Sequence, residues 1–185
     1  ETLLLMLVFA FLFFSIRSNW PQTFEFGYDQ GRISEIMMKV IESGDYFNVS
    51  RHIFCSVQED VMTFGPFMVH FFLPWYLITR NPVIITQILI MINFLGVVFT
   101  FLGARMLFNK RVAVFSALFV IAFPWSVIFS RMIYNPTPLF FFIPMVFYVT
   151  LLIVKKKRTG LLFILPMLWA MMIQFHYISI TVALV

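Results

Sequence analysis

The residues able to do chemistry in this chain gather in three short polar stretches. The first, Phe26-Gly27-Tyr28-Asp29-Gln30-Gly31-Arg32, sets a carboxylate and a guanidinium beside two glycines. Glycine carries no Cβ, so backbone at Gly27 and Gly31 can approach a ligand closely. A carboxylate there can take a proton from a hydroxyl within hydrogen-bond reach. Asp29 reads equally well as a helix N-cap. The two jobs are compatible, because a helix N-terminus favours the ionised acid. The second stretch, Ser130-Arg131-Met132-Ile133-Tyr134-Asn135-Pro136, centres on Arg131. Its planar fork of donors suits phosphate; the bland alternative is an interfacial anchor reaching for headgroups. Tyr134 and Asn135 add hydrogen-bonding groups, and Pro136 and Pro138 stiffen the turn. The third, Gln174-Phe175-His176-Tyr177, puts polar groups in an apolar run, where they are costly and often functional. Solvation of His176 near a helix end is the competing account.

Other chemistries are poorly served. His52, Cys55, Glu59 and Asp60 match no tetrahedral zinc spacing. No metal site is expected, although a divalent cation cofactor stays open. His70 is expected to be buried or interfacial. The chain has no phosphate-binding glycine loop of the nucleotide type and no nucleophile motif, which argues against a nucleotide donor. The single Cys55 can form no intrachain disulfide.

The elements that position these groups are membrane helices. Of 185 residues, 62% are hydrophobic and 11% charged, with 26 Phe. A soluble domain carries about 25% charged residues, so the class is a polytopic, all-α membrane protein. All eight acidic residues lie at or before Asp60, and the nine Lys and Arg beyond Val61 face no carboxylate in sequence. Such a basic excess in short loops sets orientation in a bilayer and is no nucleic-acid signal. The chain begins with Glu1 and ends inside an apolar run, the pattern expected of the N-terminal part of a longer protein.

Thr2 to Ile16 reads as a first, short span. Within the polar region Arg17 to Asp60, apolar residues from Ile33 to Ile41 recur at helical spacing. Arg32, Glu35, Lys39 and Glu42 form a charged ladder on the other face. This predicts an amphipathic helix from Asp29 to Ser43, stopped by Gly44 and lying in the interface. Further spans are predicted at Val83–Ala104, Val112–Phe129, Leu139–Val154 and Leu161–Ile173. The clusters Lys110-Arg111 and Lys155 to Arg158 should both be cytoplasmic, which the two intervening spans permit. That parity requires Val61 to Thr79, interrupted by Gly65-Pro66 and Pro74, to be re-entrant or flat on the outer side. Asp29, the Arg131 turn and His176 would then line one outer chamber.

The order of motifs resembles the first loops of GT-C membrane glycosyltransferases. More narrowly, it resembles prokaryotic members of the dolichyl-phosphate-mannose–protein mannosyltransferase (PMT) superfamily. The resemblance rests on Tyr28-Asp29-Gln30-Gly31-Arg32 opening a helix that closes at Glu42-Ser43-Gly44-Asp45-Tyr46. It continues through Phe64-Gly65-Pro66-Phe67, Ala104-Arg105-Met106-Leu107-Phe108, Pro124-Trp125 with the Arg131 turn, and Gln174-Phe175-His176-Tyr177. It implies a GT-C bundle with a juxtamembrane helix, divided into a first span at 1–16, an outer loop at 17–82 and further spans at 83–185. It also implies inverting transfer of a sugar from a polyprenyl-phosphate donor to a protein or glycan acceptor at the extracytoplasmic face of the cell membrane. Asp29 would be the catalytic base and Arg131 the donor-phosphate ligand. Tyr28, Arg32, Tyr134, Asn135, Gln174 and His176 would contact substrate. Many members have Asp-Glu where this chain has Asp29-Gln30, so no role of a second carboxylate carries over. A transporter or lipid flippase is the main alternative. Its site would lie near the bilayer midplane on broken helices, whereas these polar groups cluster on one face. A non-catalytic scaffold is the third reading.

Overall fold

A computed structural model of the chain describes residues 1–17, 27–47, 65–176 and 179–183. Every regular element among them is helical. They are α1 (Thr2–Arg17), α2 (Tyr28–Ser43), α3 (Pro66–Ile78), α4 (Pro82–Leu107), α5 (Lys110–Ala122), α6 (Pro124–Phe129) and α7 (Leu139–Lys156). A 3-10 turn (Thr159–Phe163) then leads into α8 (Ile164–Phe175), and α9 (Ser179–Ala183) follows. By length and composition α4 and α7 can cross a membrane; α1, α3 and the Thr159–Phe175 segment are apolar but shorter.

Local sequence explains most of the boundaries. Asn81 and Asn109 cap α4 and α5, their side-chain oxygens accepting from the Val83 and Val112 amides at 2.9 and 3.0 Å. Gly44 ends α2 in the left-handed region, at φ 69°, with its amide on the Val40 carbonyl. The predicted single span Val112–Phe129 is instead two helices. Pro124 has no N–H to continue α5 and holds Phe123 in an extended conformation, with φ −62° and ψ 123°. The last predicted span also differs at both ends. A 3-10 turn precedes α8, Pro166 falls harmlessly in its first turn, and the helix continues to Phe175.

Helix directions follow from pairwise contacts. Glu1 meets Lys110 at 2.6 Å and Arg105 donates to the Thr2 hydroxyl at 3.2 Å. Phe9 packs on Phe101 and Phe13 on Phe94, so α1 runs antiparallel to α4. Gly96 abuts Phe140, and Gly103 abuts Phe147 and Leu151, so α7 runs parallel to α4. Arg105, Lys110, Lys155 and Lys156 therefore share one end of the bundle. The described part of Val61–Thr79 does not cross to that end. Helix α3 has 13 residues, about 20 Å, against a hydrocarbon core of about 30 Å. It begins at the C-terminus of α8, where the Gly65 amide donates to the Gln174 carbonyl at 3.2 Å. It ends one short turn before α4, so both of its ends lie away from the basic clusters.

Two apolar cores hold this arrangement. Phe9, Phe13, Val97, Phe101, Ala113 and Ile121 join α1, α4 and α5. The second core gathers Ile33 and Ile36 of α2, Phe72 of α3, Leu89 of α4, Ile133, Phe142 of α7 and Phe175 of α8. The amphipathic pattern of α2 is thus used to seat it on α3 and the far end of the bundle. Helices α4 and α7 form the most extensive pair.

Candidate functional site

The polar residues singled out in the sequence fall on α2, on the turn between α6 and α7 and at the end of α8. Asp29 is exposed in the first turn of α2, and Gly27, not Asp29, occupies the N-cap position. The capping reading of Asp29 is thereby corrected: the helix starts one residue before it, and its carboxylate makes no cap bond. Tyr28 is 82% exposed beside it, and Arg32 is half-buried on the next turn. The apolar face of the same helix shares a core with Ile133, two residues beyond Arg131.

The turn itself is built by buried hydrogen bonds. The Thr137 hydroxyl donates to the Phe129 and Met132 carbonyls, both at 2.9 Å. The Asn135 amide donates to the Phe175 carbonyl at 2.9 Å, and Asn135 is buried. Asn135 thus ties the turn to the end of α8. Gln174 has a similar job: its Oε1 accepts from the Phe67 amide at 2.8 Å, capping α3, while its Nε2 donates to the Ala170 carbonyl at 3.2 Å. Gly65 permits this approach, since a Cβ there would overlap the Gln174 side chain.

Tyr134 of this turn and His176 stand in the wall of a cavity of about 520 Å³, whose lining includes neither Asp29 nor Arg131. Its floor and sides are apolar, from Phe123, Trp125, Phe129, Phe140 and Ile143, with the Ser126 hydroxyl as a polar point. Trp125 stacks on Phe129 with ring centres 5.3 Å apart, and Tyr134 stacks on Phe129 at 5.9 Å. The cavity exists where Pro124 breaks the α5–α6 span. Its lining suits a hydrocarbon ligand with few polar groups.

Arg17, which the sequence marked only as the residue after an apolar run, is the largest buried polar side chain here at 1% exposure. Its Nε donates to the Ser130 hydroxyl at 2.8 Å and its Nη2 to the Ser126 hydroxyl at 3.2 Å. Its Nη1 reaches the Phe13 and Ile121 carbonyls at 3.1 and 3.3 Å, and its guanidinium stacks 3.6 Å from the Phe13 ring centre. Arg131, half-buried, directly follows Ser130 in the turn. The legible signal was Ser126 and Ser130 at helical spacing, waiting for a donor.

Of the two settings expected for His70, buried or interfacial, burial does not hold: the residue is exposed, on a part of α3 that faces away from the core. Among the described residues no His, Cys, Asp and Glu group could hold a metal ion; His52, Cys55, Glu59 and Asp60 lie outside them.

A family model described as dolichyl-phosphate-mannose-protein mannosyltransferase matches residues 64–185. No curated protein and no solved structure matches the chain.

Proposed function

Since the chain belongs to the dolichyl-phosphate-mannose-protein mannosyltransferase family, we propose that it is an inverting transferase moving a sugar from a polyprenyl phosphate to an acceptor at the end of the bundle away from the basic clusters. By the positive-inside rule that end is extracytoplasmic. The chain would form part of one GT-C domain, with 17–82 as outer loop. The family is one of membrane glycosyltransferases with lipid-phosphate sugar donors. The observation that most supports the finer reading is an apolar cavity with Tyr134 and His176 in its wall and, among its lining residues, Ser126, whose hydroxyl accepts a hydrogen bond from Arg17.

In the proposed reaction the acceptor hydroxyl attacks the anomeric carbon as its proton passes to the Asp29 carboxylate. The new C–O bond forms opposite the breaking bond between that carbon and the phosphate oxygen, which inverts the centre. The electron pair leaves with the lipid phosphate, and Arg131 stabilises the charge that develops there. Tyr134 and His176 contact the sugar or its phosphate, Tyr28 and Arg32 face the acceptor side, and Asn135 and Gln174 hold the walls in place. A protein is the acceptor class the family name suggests.

Asp29→Asn tests this reading. The variant should keep its helical circular dichroism and its affinity for polyprenyl phosphate, while transfer of sugar from a polyprenyl-phosphate donor falls by at least about 100-fold. Transfer at the wild-type rate would remove Asp29 from the mechanism.

A further inference from the structure

The basic end of the α4–α5 hairpin carries Arg105, Lys110 and Arg111, and these cations are not used alike. Lys110 is paired with Glu1, and Arg105 donates to the Thr2 hydroxyl. Arg111 is exposed and makes no hydrogen bond or ion pair among the described residues. Its charge is therefore available to a group from outside the chain.

One turn further along α5, about 6 Å down the axis, stands Phe115. Phe115, Ser116, Leu118, Phe119 and Val120 line an open groove of about 780 Å³ against Thr100 of α4. Phe115 and Phe119 are 71% and 64% exposed there. The Thr100 hydroxyl is engaged on the Gly96 carbonyl at 2.8 Å, so the groove asks its occupant for little hydrogen bonding. Helix α4 is long and apolar enough to cross a bilayer. A groove along it is then bathed in hydrocarbon, while Arg111, in the first turn of α5, stands at the headgroup level of the same leaflet.

An apolar groove beneath an unpaired guanidinium matches an acyl chain beneath a phosphate. The planar fork of Arg111 suits that phosphate, and a cation at the membrane surface favours a lipid with net negative charge. We infer that the α4–α5 groove holds an acyl chain of one anionic glycerophospholipid, drawn from the leaflet at the basic end, with its phosphate on Arg111. Only Val120 is shared with the lining of the cavity walled by Tyr134 and His176. The site is read by lipid binding alone and does not depend on the transferase reading.

The test is native mass spectrometry of the full chain, released from nanodiscs of equal parts phosphatidylglycerol and phosphatidylcholine with identical acyl chains. The wild type should retain one phosphatidylglycerol over phosphatidylcholine by about fivefold. Arg111→Gln, a surface change that removes no bond within the described chain, should bring that ratio to about one. Lys156→Gln removes an equal charge from the same end, away from the groove, and should leave the ratio unchanged. Ser116→Trp fills the groove and should lower retention of both lipids. No preference in the wild type would overturn the site. An equal fall in Lys156→Gln would reduce it to diffuse surface charge and overturn it as well. Wild-type retention in a folded Ser116→Trp would show that the chain does not lie in the groove. A dimer lost in Ser116→Trp, with the lipid ratio intact, would make this face a contact between copies and end the lipid assignment. Should Ser116→Trp fail to fold, the contrast between Arg111→Gln and Lys156→Gln decides.

Discussion

Two glycines on one face of α4 should respond to the same substitution in opposite directions. At Gly96 an added Cβ would overlap the Phe140 carbonyl oxygen and stand 3.0 Å from its carbonyl carbon and 3.3 Å from Phe141 Cα. These are backbone atoms of α7 and cannot rotate away. Pro144 explains why that oxygen is there: it has no N–H for the carbonyl four residues before it, so the oxygen is free to lie against α4. Relieving the overlap in Gly96→Ala requires α4 and α7 to part by about 1 Å. Such overpacking costs about 1–3 kcal/mol, or roughly 2–12 °C in unfolding midpoint for a chain of this size. At Gly103 the nearest atoms are the Phe147 ring at 3.4 Å and a Leu151 methyl at 3.7 Å, ordinary contact distances. Gly103→Ala should therefore gain the usual 0.5–1 kcal/mol or so of a helical Gly replaced by Ala, a rise of roughly 1–4 °C. Thermal unfolding of the two purified variants in one detergent, followed by tryptophan fluorescence, reads both. Phe140, Ile143 and Pro144 line the cavity, so Gly96→Ala should also raise the donor KM. A midpoint for Gly96→Ala equal to or above that of Gly103→Ala would refute the packing argument.

Gln174→Ala removes the acceptor for the Phe67 amide and should cost about 1 kcal/mol, with faster hydrogen exchange at Phe67. Unchanged exchange there would show that α3 is held by other means. Burial pushes the Tyr76 hydroxyl above its usual range, while its bond to Ser34 at 2.6 Å pulls the other way. With the folded value raised, the stabilising contribution is complete below about pH 10 and is lost as pH climbs through the folded value. Denaturant unfolding between pH 8 and about 11 should show a steeper alkaline loss for the wild type than for Tyr76→Phe, and parallel curves would contradict it.

How far these features were legible depends on whether a residue's type or its direction decides. Gly44 stops α2 because only its missing Cβ suits the left-handed turn, and that is visible in the letter itself. The alternation of Ile33, Ile36, Met37 and Val40 likewise fixes which face of α2 is buried. The clusters at Lys110 and Lys155 fix which helix ends lie together. Direction is another matter. Asn135 and Gln174 look like ligand contacts in a linear chain, and only the fold reveals that each has a backbone partner on another segment. Pro124 was noticed as part of a motif, yet the break it makes in Val112–Phe129 depended on what α6 could pack against. Arg17 was the hardest, since its partners lie more than 100 positions away.

The breaks and these polar residues are two sides of one physical requirement. Irregular backbone at membrane depth is tolerated only inside protein or along a cavity, and each freed carbonyl needs a donor. Near the end of α5 the Ile121 carbonyl receives Arg17; at the end of α6 the Phe129 carbonyl receives Thr137. At the end of α8 the Phe175 carbonyl receives Asn135 and the Gln174 carbonyl receives the Gly65 amide. The cavity is walled by residues from these same interruptions, Phe123, Tyr134, Pro136 and His176. A bundle of unbroken apolar helices would need none of those donors and would have no such opening. The polar residues thus divide by physical duty. Arg17, Thr137, Asn135 and Gln174 keep broken backbone satisfied, a duty distinct from the substrate roles proposed for Asp29, Arg131, Tyr134 and His176.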